Sequence, residues 1–582
     1  MIKRILHSVR EYKKSSIATP ILVTLEVIIE CIIPFMTANL INEIKRGCSF
    51  GTVVTYGISL ILLACLSLAF GALAGLTSAT ASCGLARNLR SDLFSHIQSF
   101  SFENIDKYSS SSLITRLTTD ISNVQMAYMM IIRIAVRAPL MLIFSFAMAF
   151  IMGGKMAWIF LLLAPLLALA LFGIIRVVMP LFKRVFKKYD ALNRSVQENV
   201  QGIRVVKSYV RGSFEKEKFN DAADDVCRDF TRAERILALN NPIMQFCLYT
   251  VMIFVLSFGS YTIITSRGLD LDVGQFSALL TYSFMILSSL MMLSMIFVML
   301  TISAESAKRV VEVLNEESTL KNPENPLMQV ENGDISFDGV SFRYSKKAQR
   351  MALSGIDLSI KSGETIGIVG GTGSAKSTLV QLISRLYDAS EGVVSVGGHD
   401  VREYDLDTLR NAVAVVLQKN LLFSGTIKEN LRWGNKDATD EELREACKLA
   451  MADDFIMAMP DGYDTFIEQG GTNVSGGQKQ RLCIARALLK KPKILILDDS
   501  TSAVDTRTDA LLRRAMRQYI PETTKIIIAQ RTASVEDADR IIVMEGGAID
   551  AIGTHKELME TNEIYKEIYT SQNKAGECND EE

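Results

Sequence analysis

The fold of the second half of the chain is decided by one stretch, Ile494-Leu495-Ile496-Leu497-Asp498-Asp499-Ser500-Thr501-Ser502-Ala503-Val504-Asp505. Its first residues are aliphatic and β-branched, which is typical of a strand buried inside a parallel sheet. Two carboxylates, Asp498 and Asp499, follow where that strand ends. Ligands of open α/β sheets bind at the carboxyl ends of the strands, so these two acids are predicted to lie in a binding site.

A glycine-rich loop lies upstream, between a strand-like run at residues 366–369 and a helix predicted from Leu379. This strand–loop–helix order is typical of a phosphate-binding loop, whose backbone N–H groups and helix N-terminus bind phosphates. Lys376 is expected to reach the β- and γ-phosphates of ATP, and Ser377 and Asp498 are expected to hold Mg²⁺. The residues of this loop predicted to contact the nucleotide are Gly371, Thr372, Gly373, Ser374, Ala375, Lys376, Ser377 and Thr378.

One residue of this loop departs from the usual pattern. Ala375 stands where a glycine is expected before the lysine. An alanine adds only a Cβ, which is tolerated where the backbone already has helical φ. We therefore expect nucleotide binding to survive the change.

Length and composition limit the classes of protein to which the chain can belong. Its 582 residues exceed what one hydrophobic core accommodates, so two or more domains are expected. The net charge of −1 gives no indication of nucleic acid as a partner. The nine cysteines include no CxxC pair, which argues against a zinc site or a disulfide framework and predicts free thiols.

The first half contains six windows that are long and apolar enough to cross a bilayer, which takes about 20 mostly apolar residues. These windows are 17–40, 53–79, 130–152, 158–178, 242–264 and 276–302. The connections after the second and fourth windows are long and amphipathic, which predicts helical extensions outside the membrane. Lysine and arginine are frequent in residues 1–15 and in the second long connection, so the positive-inside rule predicts that both termini are cytoplasmic.

Four ionisable residues lie inside these windows, where charge is costly. Glu26 and Glu30 are one helical turn apart in the first window, and Arg133 and Arg137 have the same spacing in the third. One interpretation is a polar pathway through the helices that meets a charged substrate. The other is that the four residues pair for structural reasons, or that the arginines extend toward the membrane interface.

The composition changes after the last window. Residues 16–304 are predicted to form the membrane domain, 305–329 a linker and 330–572 an α/β domain, and 573–582 are predicted to be a disordered acidic tail. The predicted fold class is therefore a membrane all-α six-helix domain with long cytoplasmic helical extensions, followed by an α/β P-loop NTPase domain.

The most specific motif of the chain stands at the start of a predicted helix and reads Val474-Ser475-Gly476-Gly477-Gln478. A serine hydroxyl, glycine N–H groups and a helix N-terminus suit a γ-phosphate. Together with the six windows and the phosphate loop, this signature motif makes the chain resemble an ATP-binding-cassette (ABC) exporter half-transporter of the multidrug type over nearly its whole length. The resemblance implies that two cassettes pair, and that each signature motif completes the nucleotide site of the opposing cassette.

The resemblance also implies roles for residues outside these motifs. Tyr344 corresponds to the aromatic residue that stacks on adenine, and Gln418 to the glutamine that contacts Mg²⁺ and senses the membrane domain. Segments near 102–108 and 212–218 correspond to the coupling helices. The loop that communicates between the two nucleotide sites corresponds to Ser502, Ala503 and Asp505.

Two residues depart from the family's catalytic pattern. Asp499 replaces the glutamate that polarises the attacking water, and Gln530 replaces the switch histidine. General base catalysis contributes roughly 10²–10⁴-fold and needs hydrogen-bond reach, which a carboxylate withdrawn by one methylene loses in part. Because the signature motif is intact, we expect a heterodimer in which this chain owns the weaker ATP site and completes the stronger site of a different half-transporter.

The expected function is ATP-driven export or flipping of a hydrophobic or amphipathic compound, with membrane lipids around the helices. The expected location is the plasma membrane of a bacterium. Two alternatives remain open at this point: a homodimeric lipid or peptide exporter, and an ATP-gated regulatory or channel-like membrane protein with little hydrolysis.

Overall fold

The computed structural model describes residues 2–266, 271–345, 348–499 and 505–577. The chain forms two compact units. The first unit contains the chain up to Gln98 and Ser109–Glu316, and the second contains Ser99–Tyr108 and the chain from Glu317 onward. The boundary after Glu316 falls inside the predicted linker, because the last helix of the first unit continues to Leu314.

The chain up to residue 316 is helical. In chain order its helices are α1 (Ile2–His7), α2 (Lys13–Lys45), α3 (Phe50–Gln98), α4 (Phe102–Lys107), α5 (Ser110–Thr115), α6 (Ile121–Gly153), α7 (Trp158–Gln201), α8 (Ile203–Ser208), α9 (Gly212–Leu237), α10 (Asn240–Thr265) and α11 (Val273–Leu314). Of these, α4 belongs to the second unit.

Each of the six predicted windows lies inside one of the long helices α2, α3, α6, α7, α10 and α11. By length and composition, five helical segments of the described chain are able to cross a membrane. One of them, Ser110–Phe182, contains both α6 and the first part of α7, which a short turn at Gly154–Ala157 separates. Large apolar side chains such as Leu68 on α3 are exposed, a surface that suits lipid rather than water.

Helices α2 and α11 approach each other closely. The N–H of Gly274 donates to Oδ1 of Asn42 at 2.9 Å, and a Cβ at Gly274 would lie only 2.0 Å from the carbonyl oxygen of Ala38. Further along the pair, the buried Tyr282 hydroxyl donates to the carbonyl oxygen of Cys31 at 2.7 Å. A glycine is required at position 274 because the backbone of α2 fills the space that any side chain would need.

Two segments differ from the sequence-based expectations. Residues 212–218 do not form a separate short helix, because they are the first turns of α9; the short helix in this region is α8. At the other end of the chain, residues 573–577 continue an amphipathic helix to Glu577, where the sequence predicts a disordered tail. Residues 578–582 lie outside the described part of the chain.

The second unit is an α/β domain built on a six-stranded sheet and a four-stranded antiparallel sheet. Its strands are β1 (Ile335–Phe342), β2 (Leu353–Ile360), β3 (Thr365–Gly370), β4 (Glu391–Val396), β5 (His399–Asp400), β6 (Val413–Val416), β7 (Gly425–Thr426), β8 (Phe466–Ile467), β9 (Ile494–Asp498), β10 (Thr524–Ile528), β11 (Arg540–Glu545) and β12 (Ala548–Gly553). Its further helices are α12 (Lys376–Ile383), α13 (Leu406–Ala412), α14 (Ile427–Leu431), α15 (Asp440–Leu449), α16 (Asp453–Met457), α17 (Gly476–Leu488), α18 (Thr506–Tyr519), α19 (His555–Thr561) and α20 (Glu563–Glu577).

The six-stranded sheet has the order β12-β11-β3-β10-β9-β6, in which all neighbouring strands except β12 run parallel. Every residue of β9 is buried, as its aliphatic sequence predicts. Because parallel strands end at the same edge, the chain segments that follow β3, β6, β9 and β10 all leave the sheet on one side.

Candidate nucleotide-binding site

The carboxyl edge of the sheet brings the predicted site segments together. Strand β3 ends at Gly370, directly before the phosphate loop, and β9 ends at Asp498, directly before Asp499. Strand β10 lies between them and pairs Ile528 with Asp498. The chain therefore leaves β10 toward Gln530 beside the two acids. This convergence is the arrangement that the sequence predicted for a ligand site.

The backbone of the phosphate loop differs from the expectation at Ala375. This residue does not have the right-handed helical φ expected for it, because its φ is +68° and its ψ is 23°, in the left-handed region. In that region a Cβ lies close to the carbonyl oxygen, at a cost of roughly 1–2 kcal/mol for residues other than glycine. Gly373, two residues earlier, also has a positive φ, of +85°, without that cost. The alanine is therefore accommodated at the expense of backbone strain.

Helix α12 begins at Lys376, three residues before the predicted start at Leu379, so the lysine lies in the first turn. Its ammonium donates to the carbonyl oxygens of Gly370 and Gly371 at 2.9 and 2.8 Å, and to the Ser374 hydroxyl at 3.1 Å. Burial lowers the pKa of Lys376. Since its present partners are neutral oxygens, a phosphate is a stronger acceptor for this ammonium, and the loop fits a phosphate ligand.

The predicted magnesium ligands Ser377 and Asp498 are in contact. The Ser377 hydroxyl donates to Oδ1 of Asp498 at 2.9 Å, and burial raises the pKa of that carboxyl. Together with the side-chain amide of Gln418, they offer the oxygen donors that Mg²⁺ prefers. The described residues contain no cluster of three or more His, Cys, Asp or Glu able to hold a metal ion. This small donor set fits a magnesium site in which nucleotide phosphates and water supply the remaining ligands.

The carboxylate of Asp499 is held by two neutral amides. Its Oδ2 accepts hydrogen bonds from Nε2 of Gln530 at 2.6 Å and from Nε2 of Gln418 at 3.2 Å. The backbone N–H of Asp499 donates to the carbonyl oxygen of Ile528 at 3.0 Å, and its φ is +48°, which an aspartate adopts more readily than most residues. The side chain is buried, with 8% of the residue exposed. The two residues that depart from the family pattern are therefore hydrogen-bonded to each other.

A residue that the sequence did not indicate holds the segment around Gln530. Nε2 of Gln572 donates to the carbonyl oxygen of Gln530 at 2.7 Å. Its Oε1 accepts from the N–H and the hydroxyl of Thr532 at 2.9 and 3.0 Å. Gln572 lies on α20, forty residues beyond Thr532, and no motif surrounds it. Only the packing of α20 against the sheet edge brings it to the site.

Tyr344 lies beside the first helix of the site. Its hydroxyl is 2.9 Å from that of Thr378 and donates to Oε1 of Gln381 at 3.3 Å, both on α12. Its ring meets the ring of Tyr387 edge to face, with 5.2 Å between the centroids. The Tyr387 hydroxyl donates to Asp106, in the predicted coupling segment that belongs to this unit. Tyr344 is thus fixed next to the phosphate loop and remains partly exposed.

The predicted signature motif forms the N-terminus of α17. Ser475 is the N-cap: its hydroxyl accepts from the N–H of Gln478 at 3.3 Å, and Oε1 of Gln478 accepts from the N–H of Ser475 at 2.9 Å. This capping box leaves Ser475 and Gly476 exposed at the helix start, while Val474 is buried beneath. The O–H of Ser475 and the N–H groups of the glycines that follow lie at the positive end of the helix, where they suit an anion.

The predicted loop between the two nucleotide sites is described only in part. Ser502 and Ala503 lie outside the described residues. Asp505 is the N-cap of α18, where its Oδ1 accepts from the N–H of Thr508 at 2.9 Å. That hydrogen bond lowers the pKa of the Asp505 carboxyl.

Comparison with known proteins identifies the family to which this chain belongs. The profile of the ABC transporter transmembrane region matches residues 16–291, and that of the ABC transporter family matches residues 353–502. The chain is 37% identical to the uncharacterized ABC transporter ATP-binding protein YfiB of Bacillus subtilis, over 95% of each chain. It is 33% identical to the uncharacterized ABC transporter ATP-binding protein MT1311 of Mycobacterium tuberculosis, over 97% of each. The chain belongs to the ABC transporter family.

The layout of this ABC transporter is that of a half-transporter, a membrane region followed by one cassette. The fold is shared with the structure of a bacterial Atm1-family ABC exporter with ATP bound, with a TM-score of 0.82, 24% identity, and coverage of 97% and 98% of the two chains. A third relative, 32% identical over 83% of this chain and 82% of its own, is named a probable multidrug resistance ABC transporter ATP-binding/permease protein, YheI of Bacillus subtilis. The chain is a multi-pass membrane protein that uses ATP hydrolysis for transport.

Proposed function

We propose that this ABC transporter is the subunit of a heterodimeric exporter that holds ATP at a slowly hydrolysing site and completes the active site of its partner. The exported compound is hydrophobic or amphipathic, and the multidrug name of one relative supports that class. Both termini lie in the cytoplasm, as the distribution of lysine and arginine indicates.

The observation that carries this proposal is the environment of Asp499. Its carboxylate is one methylene shorter than a glutamate, and two glutamine amides, those of Gln418 and Gln530, already donate to it. A general base needs a free lone pair within hydrogen-bond reach of the water that it activates. Neither amide can take up a proton, as an imidazole at position 530 would. The site therefore favours holding a nucleotide over hydrolysing it.

The residues that would hold ATP are those of the loop and the sheet edge. Gly371–Thr378 would surround the phosphates with backbone N–H groups, and Lys376 would exchange its carbonyl partners for phosphate oxygens. Bound Mg²⁺ supplies charge neutralisation for the phosphates, and Ser377, Gln418 and Asp498 are its protein ligands in this proposal. Tyr344 would offer its ring to the adenine.

The signature motif is the chain's contribution to the partner's site. Ser475, Gly476 and Gly477 present a hydroxyl and N–H groups at the start of α17, and the capping box with Gln478 keeps them in place. Such a helix start binds an anion without further residues, which suits the γ-phosphate of a nucleotide held by the opposing cassette. This chain therefore combines an intact signature motif with a weakened base. In a heterodimer, such a chain would complete an active site on its partner and hold ATP at its own.

The test compares matched acid-to-amide variants in the purified heterodimer. We expect Asp499→Asn to lower ATP turnover of the complex less than threefold, because this site contributes little hydrolysis. Replacing the partner's catalytic glutamate with glutamine is expected to lower turnover at least a hundredfold. Turnover is measured as phosphate release at saturating ATP and Mg²⁺.

Three outcomes contradict the proposal. Equal losses in the two variants would mean that both sites hydrolyse ATP. Ordinary exporter turnover by the purified chain alone would favour a homodimeric lipid or peptide exporter. Turnover that transported compounds do not stimulate, together with ion conductance, would favour an ATP-gated channel-like protein.

A further inference from the structure

The segment that carries Gln530, residues 529–532, follows β10 at the carboxyl edge of the sheet and is called the switch segment below. At its start, the N–H of Ala529 donates to the carbonyl oxygen of Ile368 at 3.2 Å, which continues the sheet by one hydrogen bond. The side-chain amide of Gln530 then reaches Oδ2 of Asp499 at 2.6 Å. How firmly this amide stays on the acid therefore depends on what holds the backbone after Ala529.

Gln572 holds that backbone with three hydrogen bonds. Its Nε2 donates to the carbonyl oxygen of Gln530 at 2.7 Å, and its Oε1 accepts from the N–H and the hydroxyl of Thr532 at 2.9 and 3.0 Å. Thr532 is only 2% exposed. A buried N–H that loses its acceptor is costly, so the switch segment would have to rearrange if the side chain of residue 572 could not accept.

Helix α20 fixes Gln572 in turn. Tyr565 is fully buried, and its hydroxyl lies 2.7 Å from Nδ1 of His555. The ring of Tyr569 packs against the ring of His555, with 5.2 Å between the centroids. Tyr565, Tyr569 and Gln572 follow one another at helical spacing and lie on one face of α20. Gln572 is thus the polar end of the face by which α20 is anchored.

Fixing the backbone of Gln530 also limits where its side chain can go. The carbonyl that Gln572 holds and the amide that reaches Asp499 belong to the same residue. A side chain whose backbone is already ordered loses less conformational entropy when it forms a further hydrogen bond. The three hydrogen bonds of Gln572 therefore favour the contact between Gln530 and Asp499.

We propose that Gln572 is a positioning residue of the nucleotide site, through which α20 keeps the amide of Gln530 on Asp499 and slows hydrolysis. Its three hydrogen bonds go to residues 530 and 532, so it acts on the acid through Gln530. This inference rests on the proposed function, because it takes the site of this chain as the slow one.

The test replaces Gln572 with leucine, which has a similar size and makes none of the three hydrogen bonds. Phosphate release is measured with the full-length chain in lipid nanodiscs, in a complex whose partner site is inactivated. We expect kcat to rise about threefold, because an oxygen of Asp499 is released toward the attacking water. The KM for ATP is expected to stay within about twofold, because the hydrogen bonds that change are those of residues 530 and 532.

A double-mutant cycle shows whether Gln572 acts through Gln530. Gln530→Ala removes the amide directly and is expected to raise kcat by about the same factor as Gln572→Leu. Once the amide is absent, its positioning has no further effect on Asp499. The variant that combines both changes is therefore expected to be no faster than either single variant.

Two further variants separate positioning from folding. Ser571→Ala changes the preceding residue of α20, whose hydroxyl donates to the carbonyl oxygen of Ile568 in the same helix, and it is expected to leave kcat unchanged. Gln572→Glu retains an acceptor for Thr532 and loses only the donor to Gln530, so a smaller rise than in Gln572→Leu is expected. Gln572→Glu decides the question if the leucine variant does not fold.

Two results would overturn the inference. A kcat that falls or stays the same in a folded Gln572 variant would mean that these hydrogen bonds serve only to hold α20 in place. Rises that multiply in the combined variant would mean that Gln572 acts by a route other than Gln530. The cycle compares variants of one assembly, so it is equally readable in a homodimer. Fast turnover by the wild-type chain alone would contradict the proposed function and leave these ratios unaffected.

Discussion

In the membrane domain, Glu26 and Glu30 are bound by a fixed cation, Arg137. The cassette also combines two acids with one cation, Lys376, but there the ammonium donates to loop carbonyls. Neutral side chains donate hydrogen bonds to the cassette acids: Ser377 to Asp498, and Gln418 and Gln530 to Asp499. Lys376 lies near enough for its charge to act on both acids. Neutral donors hold a carboxylate in place without cancelling its charge, so the charge stays available for an ion that arrives with a nucleotide. A fixed guanidinium, by contrast, permanently compensates one of the two negative charges of Glu26 and Glu30.

The variant with the largest expected effect removes the fixed cation, Arg137. Arg137→Gln leaves two carboxylates without their shared partner, and breaking a buried ion pair costs about 3–5 kcal/mol. Because Arg137 is a quarter exposed, we expect the lower end, about 3 kcal/mol, in the free energy of unfolding of the membrane domain. The measurement is unfolding of the full chain in nanodiscs, followed by circular dichroism.

The matched control is Arg46→Gln, which breaks an exposed pair with Glu43 at the end of the same helix, and which we expect to leave stability unchanged. If the two arginine variants unfolded alike, the cluster would not contribute to holding α2 and α6 together. The contrast between a fixed and an exchangeable cation would then be wrong.

The second prediction changes the neutral donors of the cassette. The double variant Asp499→Glu with Gln530→His introduces a longer carboxylate and an imidazole. General base catalysis increases reaction rates by roughly 10²–10⁴-fold. The left-handed φ of residue 499 suits glutamate less well than aspartate, so we expect a smaller gain, about tenfold. Phosphate release is measured in a heterodimer whose partner site is inactivated.

Asp499→Asn in the same background gives the baseline for this measurement. A double variant that hydrolyses no faster than this baseline would show that something other than the shorter acid limits the site. The hydrogen bonds from Gln418 and Gln530 would then be structural only.

The smallest expected effect concerns the loop that holds Lys376. Ala375→Gly relieves a left-handed alanine and is expected to stabilise the cassette by about 1 kcal/mol, which corresponds to about 2–4 °C in its unfolding temperature. Gly373→Ala is the mirror-image control, because a Cβ there meets open space and only the φ of +85° opposes it. We expect it to destabilise the cassette by a similar amount, and shifts of the same sign in both variants would contradict the assignment of strain.

Local patterns account for much of what the sequence predicts correctly. The aliphatic run 494–498 forms a buried strand ending in two acids, and the glycine-rich loop follows a parallel strand. Six apolar windows lie within six long helices, and the signature motif begins α17 with its own capping box. These features depend on residues close together in the chain, whose periodicity and capping preferences act before any tertiary contact forms.

Features that depend on residues far apart could not be read in the same way. The left-handed conformation of Ala375 is imposed by a loop closed between a strand and a helix, and Gln572 reaches Gln530 only because α20 packs at the sheet edge. The spacing of Glu26, Glu30 and Arg137 put each on a helix face, but left open whether they pair or meet a substrate. Sequence by itself determined which elements form and which residues stand at their ends, because those choices are local. Tertiary structure alone decided which side chains share a partner, because burial and charge pairing depend on how whole helices pack.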